Sequence, residues 1–151
     1  MSLEIEIKQS KPFRNDYHKA SVNLIYTGKW IINFHNEVFK KFHLTLQQYN
    51  ILRILKGQHP KAATVKLTRE RMLDKMSDAS RIIENLRKKM LVERTLNTDD
   101  RRSVDVIITQ KGIDLLLIIE NNESQEMDNF LSKLNKEEIE LLNSLLDKLR
   151  S

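Results

Sequence analysis

The side chains of this chain that could do chemistry, by their type and spacing, are cations between residues 74 and 112. Arg81, Arg87 and Lys88 share one stretch of helical pattern, and Arg101 and Arg102 are adjacent in the turn-forming segment LNTDDRR. An arginine can donate two hydrogen bonds to a guanine, and any cation can neutralise a phosphate. This clustering favours an anionic polymer as the partner of the chain.

Two elements must position these cations. A helix is predicted over about residues 75–89, because polar and apolar residues separate when they are placed at about 100° per residue. A hairpin is predicted next, because Val104, Val106 and Ile108 alternate with Asp105 and Ile107 after the turn-forming segment. The apolar face of the helix comprises Ala79, Ile82, Ile83, Leu86 and Met90, and its outer face presents Ser77, Arg81, Glu84, Asn85 and Lys88.

Composition narrows the class of protein. A length of 151 residues fits a single domain, and 40% hydrophobic and 31% charged residues with only three glycines and two prolines fit a mostly helical fold. No apolar run reaches the roughly 18 residues that span a bilayer, and the first residues lack the apolar core of a signal peptide. We therefore expect a cytoplasmic protein that binds no membrane.

Several absences from the sequence argue against an enzyme. The chain has no cysteine, which excludes disulfides and cysteine-ligated metal sites. The four histidines, His18, His35, His43 and His59, have no further ligand at helical spacing, and no phosphate-binding glycine loop or activated nucleophile is evident. We expect no catalytic residue, no metal and no cofactor.

Charge is unevenly distributed along the chain. Residues 61–111 contain thirteen Lys and Arg against eight Asp and Glu, whereas residues 112–151 contain four against nine. A basic middle and an acidic end suit a nucleic-acid partner at the middle, since phosphate neutralisation supplies most sequence-independent binding. On composition alone, a solvated basic surface fits equally well.

The remaining elements complete a helix-turn-helix. A helix is predicted over residues 16–42, where apolar residues recur at seven-residue steps in a stripe that suits a partner beyond the domain, although a buried core helix fits nearly as well. Thr45 and Gln48 predict a capping box at the start of a buried helix, which Gly57 and Pro60 end. A short helix over residues 65–72 then precedes the basic helix closely, and the hairpin makes the motif winged.

The two ends of the chain differ in character. Leu3, Ile5 and Ile7 alternate with charged residues, which predicts a short strand or, equally, a frayed arm. Residues 59–64 are predicted as a loop. Residues 113–134 and 135–150 are predicted as two helices, the second capped by Asn135 with Glu138, and both are too apolar for a solvated tail.

With these elements in place, the sequence resembles the MarR family of bacterial transcription regulators. The resemblance covers about residues 16–150 and is carried by QQYNILRIL as the central helix, SDASRIIENLRKKMLVER as the recognition helix and its exit, and DDRRSVDVIITQKG as the wing. It implies a mainly α (α+β) winged helix-turn-helix fold. Residues 16–42 and 113–151 would form the dimerisation region, and residues 45–112 would form the DNA-binding lobe.

The resemblance also implies a function. The expected protein is a homodimer that binds an inverted-repeat operator in double-stranded DNA, as a repressor, and that a phenolic or aromatic small-molecule effector releases. Tyr26 and Trp30 are candidates for an effector pocket between the dimerisation and DNA-binding parts, although aromatic residues at such positions are more often core. Met90 stands where the family usually has glycine, so either the helix ends differently or a strain of roughly 1–2 kcal/mol is tolerated.

Each candidate DNA contact has a predicted role. In the basic helix, Arg81 is the first candidate for a base contact, because the N-terminal half of a recognition helix enters the major groove most deeply. Arg87 and Lys88, near its end, suit phosphates. The weaker candidates for base contacts are Ser77, Asp78, Ser80 and Asn85, of which Ser77 and Asp78 suit helix capping equally well.

The hairpin tip is predicted to be a second probe. Arg101 and Arg102 suit the minor groove, and Asp100 would shape the turn by pairing with Arg102. We expect Arg102→Ala to weaken binding with little loss of folding, as measured by fluorescence anisotropy. The rival hypothesis is a winged-helix protein-protein interaction or dimerisation module that binds no DNA, and the number of exposed cations argues against it.

Overall fold

The computed structural model describes residues 2–97 and 103–151, apart from the side chains of residues 122–128 and 130. Helices dominate, and one small antiparallel sheet has the strand order β1-β3-β2, which confirms the predicted winged helix-turn-helix class. The elements are α1 (Leu3–Glu6), α2 (Asp16–Lys40), α3 (Leu46–Gln58), β1 (Ala63–Thr64), α4 (Val65–Arg71), α5 (Ala79–Lys88), β2 (Val92–Leu96), β3 (Val104–Ile108), α6 (Gln110–Leu131) and α7 (Lys136–Arg150).

Helix α3 is the centre of the core, and it begins with the predicted capping box. The Thr45 hydroxyl accepts a hydrogen bond from the backbone N–H of Gln48 at 3.2 Å, and the Gln48 side chain accepts one from the backbone N–H of Thr45 at 3.2 Å. Ile51, Leu52 and Leu55 are fully buried, with α2, α4, α5, α6 and β3 packed around them. The prediction of a buried central helix is confirmed.

The predicted hairpin forms from β2 and β3, with Val92 opposite Ile108 at its base. Strand β1 lies on the other side of β3 and pairs Ala63 with Val106. The prediction of a loop at Ala63–Thr64 is wrong, because two residues of strand give no periodic signal. The third strand ties the start of α4 to the wing.

The N-terminal residues form a helix, α1, so the predicted strand or frayed arm is wrong. Leu3 is buried, whereas Ile5 is 64% exposed, and the alternation of apolar and charged residues therefore does not mark a strand face. The ammonium group of Lys19 on α2 lies 2.6 Å from a carboxylate oxygen of Glu4. This ion pair and the burial of Leu3 dock α1 on α2.

The last two helices begin at residues with capping side chains. Helix α6 begins at Gln110, earlier than the predicted residue 113, because the Thr109 hydroxyl accepts a hydrogen bond from the backbone N–H of Gly112 at 3.1 Å. Helix α7 begins with the predicted capping box of Asn135 and Glu138. Both starts are fixed by contacts over three residues. The sequence prediction recognised the cap at Asn135 and missed the one at Thr109.

Much apolar surface stays exposed on the terminal helices. Of the stripe predicted along α2, Val38 and Phe39 are buried, whereas Ile25 is 59% exposed. Helix α7 has no buried side chain, and its Leu145 and Leu149 are 54% and 66% exposed. None of the helices in the described part of the chain is long and apolar enough to cross a membrane.

Candidate nucleic-acid interface

A hydrogen-bonded turn over residues 74–78 precedes helix α5. The carboxylate of Asp78, the N-cap, accepts a hydrogen bond from the backbone N–H of Arg81 at 3.1 Å. The carboxylate of Asp74 accepts hydrogen bonds from the Ser77 hydroxyl at 2.6 Å and from the backbone N–H of Met76 at 3.0 Å, and these hold the pKa of Asp74 below its ordinary value. Because of this turn, α5 begins later than the predicted residue 75.

Both Ser77 and Asp78 make hydrogen bonds within the chain at this turn. Of the two roles considered for them, Asp78 takes the capping role, and Ser77 donates its hydroxyl hydrogen within the turn. Their contact with DNA stays a prediction. The backbone N–H of Leu73 donates to the Asn50 side chain at 3.0 Å, which anchors the turn on α3.

The outer face of α5 is open to solvent. Within the described residues, the guanidinium of Arg81 has no hydrogen-bond or ion-pair partner. The opposite face is buried through Ala79, Ile83 and Leu86, which confirms the predicted apolar face at these three residues. The predicted contact residues on the exposed side are Ser80, Arg81, Asn85, Arg87 and Lys88.

Arg87 differs from Arg81 because it is held in an ion pair. Its guanidinium donates to both carboxylate oxygens of Glu84, at 2.8 and 3.0 Å. Arg94 of β2 donates to the same carboxylate at 3.3 Å. Hydrogen bonding to Arg87, charge attraction from Arg87, hydrogen bonding to Arg94 and charge attraction from Lys88 lower the pKa of Glu84 to about 2 against the effect of its partial burial, and Glu84 in turn raises the pKa of Arg87. The carboxylate links the helix to the first strand of the wing.

Helix α5 ends in a left-handed turn at Met90, whose φ is 61°. The backbone N–H of Met90 donates to the carbonyl of Arg87 at 2.8 Å, and that of Leu91 donates to the carbonyl of Leu86 at 3.0 Å, in a Schellman arrangement. Met90 is 66% exposed, so its predicted place on the apolar face is wrong. The left-handed turn carries its side chain away from the core, and the strain at this non-glycine residue is tolerated.

The exit of α5 is bound to the start of α6. The Thr109 hydroxyl donates a hydrogen bond to the carbonyl of Met90 at 2.9 Å. At Gly112, a Cβ atom would lie 2.4 Å from the carbonyl oxygen of Leu91, so only glycine fits without displacing the backbone. Gly112 was predicted only as part of the wing motif, and this packing role has no sequence signal because the contact joins segments that are distant along the chain.

The structure describes the base of the wing, where β2 and β3 meet. The backbone N–H of Asn97 donates to the carbonyl of Ser103 at 3.1 Å, and the Asn97 side chain donates to the carboxylate of Asp105 at 3.0 Å. Strand β2 packs against α5. Three predicted residues of the wing tip lie outside the described residues: Asp100, Arg101 and Arg102.

Two cations that the sequence analysis left unassigned lie beside the start of α5. Lys66 and Arg69 of α4 are exposed and line a cleft of about 310 Å³ that also touches residues 77–80. In helix-turn-helix proteins, the helix before the recognition helix crosses the DNA backbone. The sequence could have indicated these two cations as phosphate contacts, because they lie on the predicted helix that precedes the recognition helix.

The two candidates for the effector pocket, Tyr26 and Trp30, line one cleft of about 510 Å³. The cleft is formed by α1, by the N-terminal part of α2 and by Lys133 after α6. The predicted residues are therefore brought together, and the cleft is bounded by α1 instead of the DNA-binding lobe.

A separate cavity of about 330 Å³ lies where α2 meets α3 and the turn before α5. Half of its eight lining residues are aliphatic, and His35, Gln47 and Asp74 are among the polar ones. The Nδ1 atom of His35 is buried without a hydrogen-bond partner among the described residues, and burial lowers the pKa of His35, which favours the neutral ring. No periodic signal marks these residues, because three segments contribute them.

The arrangement as a whole suits the binding of an anionic polymer. Hydrogen-bond donors and cations are spread along an exposed helix with a rigid start and a rigid end. Among the described side chains, no group of three or more His, Asp and Glu is placed to hold a metal ion.

Comparisons with known proteins agree with this architecture. The MarR family model matches residues 44–104, from just before α3 to the start of β3. The HTH-type transcriptional regulator MhqR of Bacillus subtilis (strain 168) is 29% identical over 120 residues, which are 78% of this chain and 80% of that protein.

Two crystal structures extend the similarity to the whole fold. A MarR-like transcription regulator from Bacillus cereus ATCC 10987 has a TM-score of 0.80 at 17% identity, covering 89% of this chain and 96% of that one. A mutant MarR from E. coli, complexed with operator DNA, has a TM-score of 0.79 at 20% identity, covering 92% of this chain and 99% of that one. At such identities the agreement concerns the fold.

Proposed function

Since this chain belongs to the MarR family, we propose that it is a sequence-specific DNA-binding transcription regulator that represses promoters in the bacterial cytoplasm. The observation that carries the proposal is the exposed guanidinium of Arg81 on the outer face of α5, which has no partner among the described residues. A free arginine on a helix with a rigid start can donate two hydrogen bonds to a guanine without first breaking a contact within the protein. The operator DNA in the E. coli MarR complex supports the same function here.

In the proposed complex, α5 enters the major groove with its N-terminal half. Arg81 contacts a base, with Ser80 and Asn85 as further donors to base edges. Lys88 and the α4 cations Lys66 and Arg69 contact phosphates, because they flank this surface on both sides. Arg101 and Arg102 contact the minor groove from the wing tip, as predicted from the sequence.

We further propose that the protein is a homodimer. Residues 16–42 and 113–151 supply the dimerisation helices, and residues 45–112 form the DNA-binding lobe. The support is the apolar surface that one chain leaves exposed on α2 and α7, which is too extensive for solvated helices. Two-fold symmetry then predicts an inverted-repeat operator, with half-sites about one helical turn of DNA apart or a multiple of it.

The function is tested by selecting duplexes from a random-sequence library with the wild-type protein, followed by anisotropy titrations of the selected duplex at several salt concentrations. We expect an inverted repeat, bound with an affinity that falls steeply with salt because several phosphates are neutralised. A random duplex of equal length is the control.

The alternative, a winged-helix protein-interaction module, predicts a different result from the same experiment. Such a module would select no sequence and would bind neither duplex at low salt. The exposed cations on α4 and α5 favour DNA, because a protein-binding surface gains little from so many positive charges.

We also propose that a phenolic effector binds in the 330 Å³ cavity between α2, α3 and the turn before α5. The aliphatic residues of the lining suit an aromatic ring. The Nδ1 atom of His35, which has no partner among the described residues, would accept a hydrogen bond from a hydroxyl group, or donate one to it, if the ring turned toward the cavity. Since the cavity touches Leu73 and Asp74 in the turn that sets the start of α5, occupancy would move the recognition helix.

The effector proposal predicts that phenol releases the selected DNA and that toluene, which lacks the hydroxyl group, does so far less effectively. A site with a buried, unpaired polar group discriminates against a ligand that cannot pair with it. Release is measured by anisotropy, and His35→Leu should abolish the difference between the two ligands. Equal release by both ligands from the wild-type complex would contradict a role for His35.

A further inference from the structure

The acidic residue Glu84 occupies an unexpected place on a surface that is proposed to face a polyanion. It lies on α5 among Arg87, Lys88 and Arg94, and its carboxylate binds two of these cations directly. Its side chain is 32% exposed, so the charge is close to solvent and to any DNA that α5 approaches. A negative charge at this position repels phosphates. Its presence on this surface therefore indicates a function that offsets the repulsion.

The charge of Glu84 is permanent under any condition in which DNA binding is measured. The pKa of about 2 means that the carboxylate stays ionised at neutral and mildly acidic pH. The cluster therefore persists as ion pairs of Glu84 with Arg87 and Arg94, which join α5 to β2. Any phosphate that approaches these two arginines must compete with a carboxylate already bound to them.

We propose that Glu84 is a specificity-determining residue, which suppresses binding to non-specific DNA by engaging Arg87 and Arg94. This inference rests on the proposed DNA-binding function. Non-specific affinity depends on the number of phosphates neutralised, so a carboxylate that occupies two cations lowers it directly. A specific complex also gains base contacts, through Arg81 above all, and so depends less on these two cations. Glu84 therefore widens the ratio of specific to non-specific affinity.

A purely structural role for Glu84 predicts the opposite result. If the carboxylate served only to hold the wing against α5, its loss would displace α5 and the wing relative to each other. Binding to specific and non-specific DNA would then both weaken. The pairs are exposed on the surface, with 50% of the Arg87 side chain and 32% of the Arg94 side chain accessible. Such pairs contribute little to stability, so removal of the charge should leave the fold intact.

The test is Glu84→Gln, which removes the charge and keeps the shape of the side chain. We expect the affinity for a random duplex to rise by about three- to tenfold at low salt, since up to two cations become free for phosphates. The slope of log affinity against log salt should steepen by about one to two for the same reason. The affinity for the duplex selected by the wild-type protein should rise less, so the specificity ratio falls.

Glu93→Gln is the matched control. Glu93 precedes Arg94 on β2, is exposed and makes no ion pair among the described residues, so it removes the same charge without freeing either arginine. The proposal is overturned if Glu84→Gln leaves random-duplex binding unchanged, if it weakens both duplexes, or if Glu93→Gln has an equal effect. Failure of the wild-type protein to bind DNA would instead overturn the proposed function. Circular dichroism and thermal unfolding establish that both variants fold.

Discussion

Arg81 and Arg87 are both exposed on α5, yet the structure gives them different surroundings. Arg81 has no partner in the described part of the chain, whereas Arg87 donates two hydrogen bonds to Glu84. A guanidinium that is already paired must break or share its bonds before it contacts DNA, and a free one need not. The two arginines should therefore contribute to binding in different ways.

For Arg81, we expect Arg81→Ala to weaken binding to the selected duplex by about 1–3 kcal/mol per half-site, because the bidentate contact with a base is lost. Anisotropy titrations measure the effect. The folding stability should not change, since the side chain is exposed and makes no contact that supports the fold.

Arg81→Lys is the control, because it keeps the charge and removes the paired donors. It should lose most of the discrimination and retain binding to a random duplex. An equal loss on selected and random duplexes for Arg81→Ala would mean that Arg81 contacts phosphates only.

At the scale of elements, the junction of α5 with the wing connects the two proposed DNA probes. The helix ends at Met90 in a left-handed turn, the Thr109 hydroxyl binds the carbonyl of that residue, and Gly112 packs against the next carbonyl. These contacts fix the direction in which β2 leaves α5. The geometry of the junction is therefore set by α6 as well as by the helix that ends there.

This junction predicts that Met90→Gly stabilises the protein by about 0.5–1 kcal/mol. Glycine relieves the left-handed strain of roughly 1–2 kcal/mol, and its greater freedom in the unfolded chain offsets part of the gain. Little burial is lost, because Met90 is 66% exposed. Urea unfolding at a fixed protein concentration measures the change.

Met90→Ala serves as the control for the loss of the side chain, since alanine keeps the strain. It should leave the free energy of unfolding nearly unchanged. A gain in stability with alanine equal to that with glycine would show that the backbone conformation is not the cause.

At the scale of the molecule, the two ends of the chain carry apolar surface that one copy leaves uncovered. Helix α7 exposes Leu141, Leu145 and Leu149, and α2 exposes Leu24 and Ile25. A second copy is the proposed partner, because burial of this surface is the main source of stability for such helices.

We expect Leu145→Glu to shift the protein from a dimer to a monomer of 17.9 kDa, because a carboxylate cannot be buried in an apolar interface without a large desolvation cost. Light scattering coupled to size exclusion measures the mass. The affinity for an inverted repeat should fall with it, since the two half-sites would no longer be bound together.

Ser144→Glu places the same charge on the neighbouring residue of α7, where the wild-type side chain is polar and exposed. It should remain dimeric. A monomeric wild-type protein at micromolar concentration would contradict the dimer proposal itself.

The sequence by itself determined the features that depend on neighbours within a few residues. The capping boxes at Thr45 and Asn135, the two faces of α5 apart from Met90 and the alternation in β3 formed as predicted, because helix caps and periodic burial act over three to five residues. These features suffice for the winged helix-turn-helix class, and they place Arg81 on an exposed face.

Only the tertiary structure decided the contacts between distant segments. The engagement of Arg94 by Glu84, the close packing at Gly112 and the cavity beside His35 each join residues from separate elements. The left-handed turn at Met90 also depends on this packing, since its strain is tolerated where Leu86 and Leu91 on either side are buried. The periodicity of the sequence does not predict contacts between distant residues, because the geometry of these contacts depends on how whole elements pack.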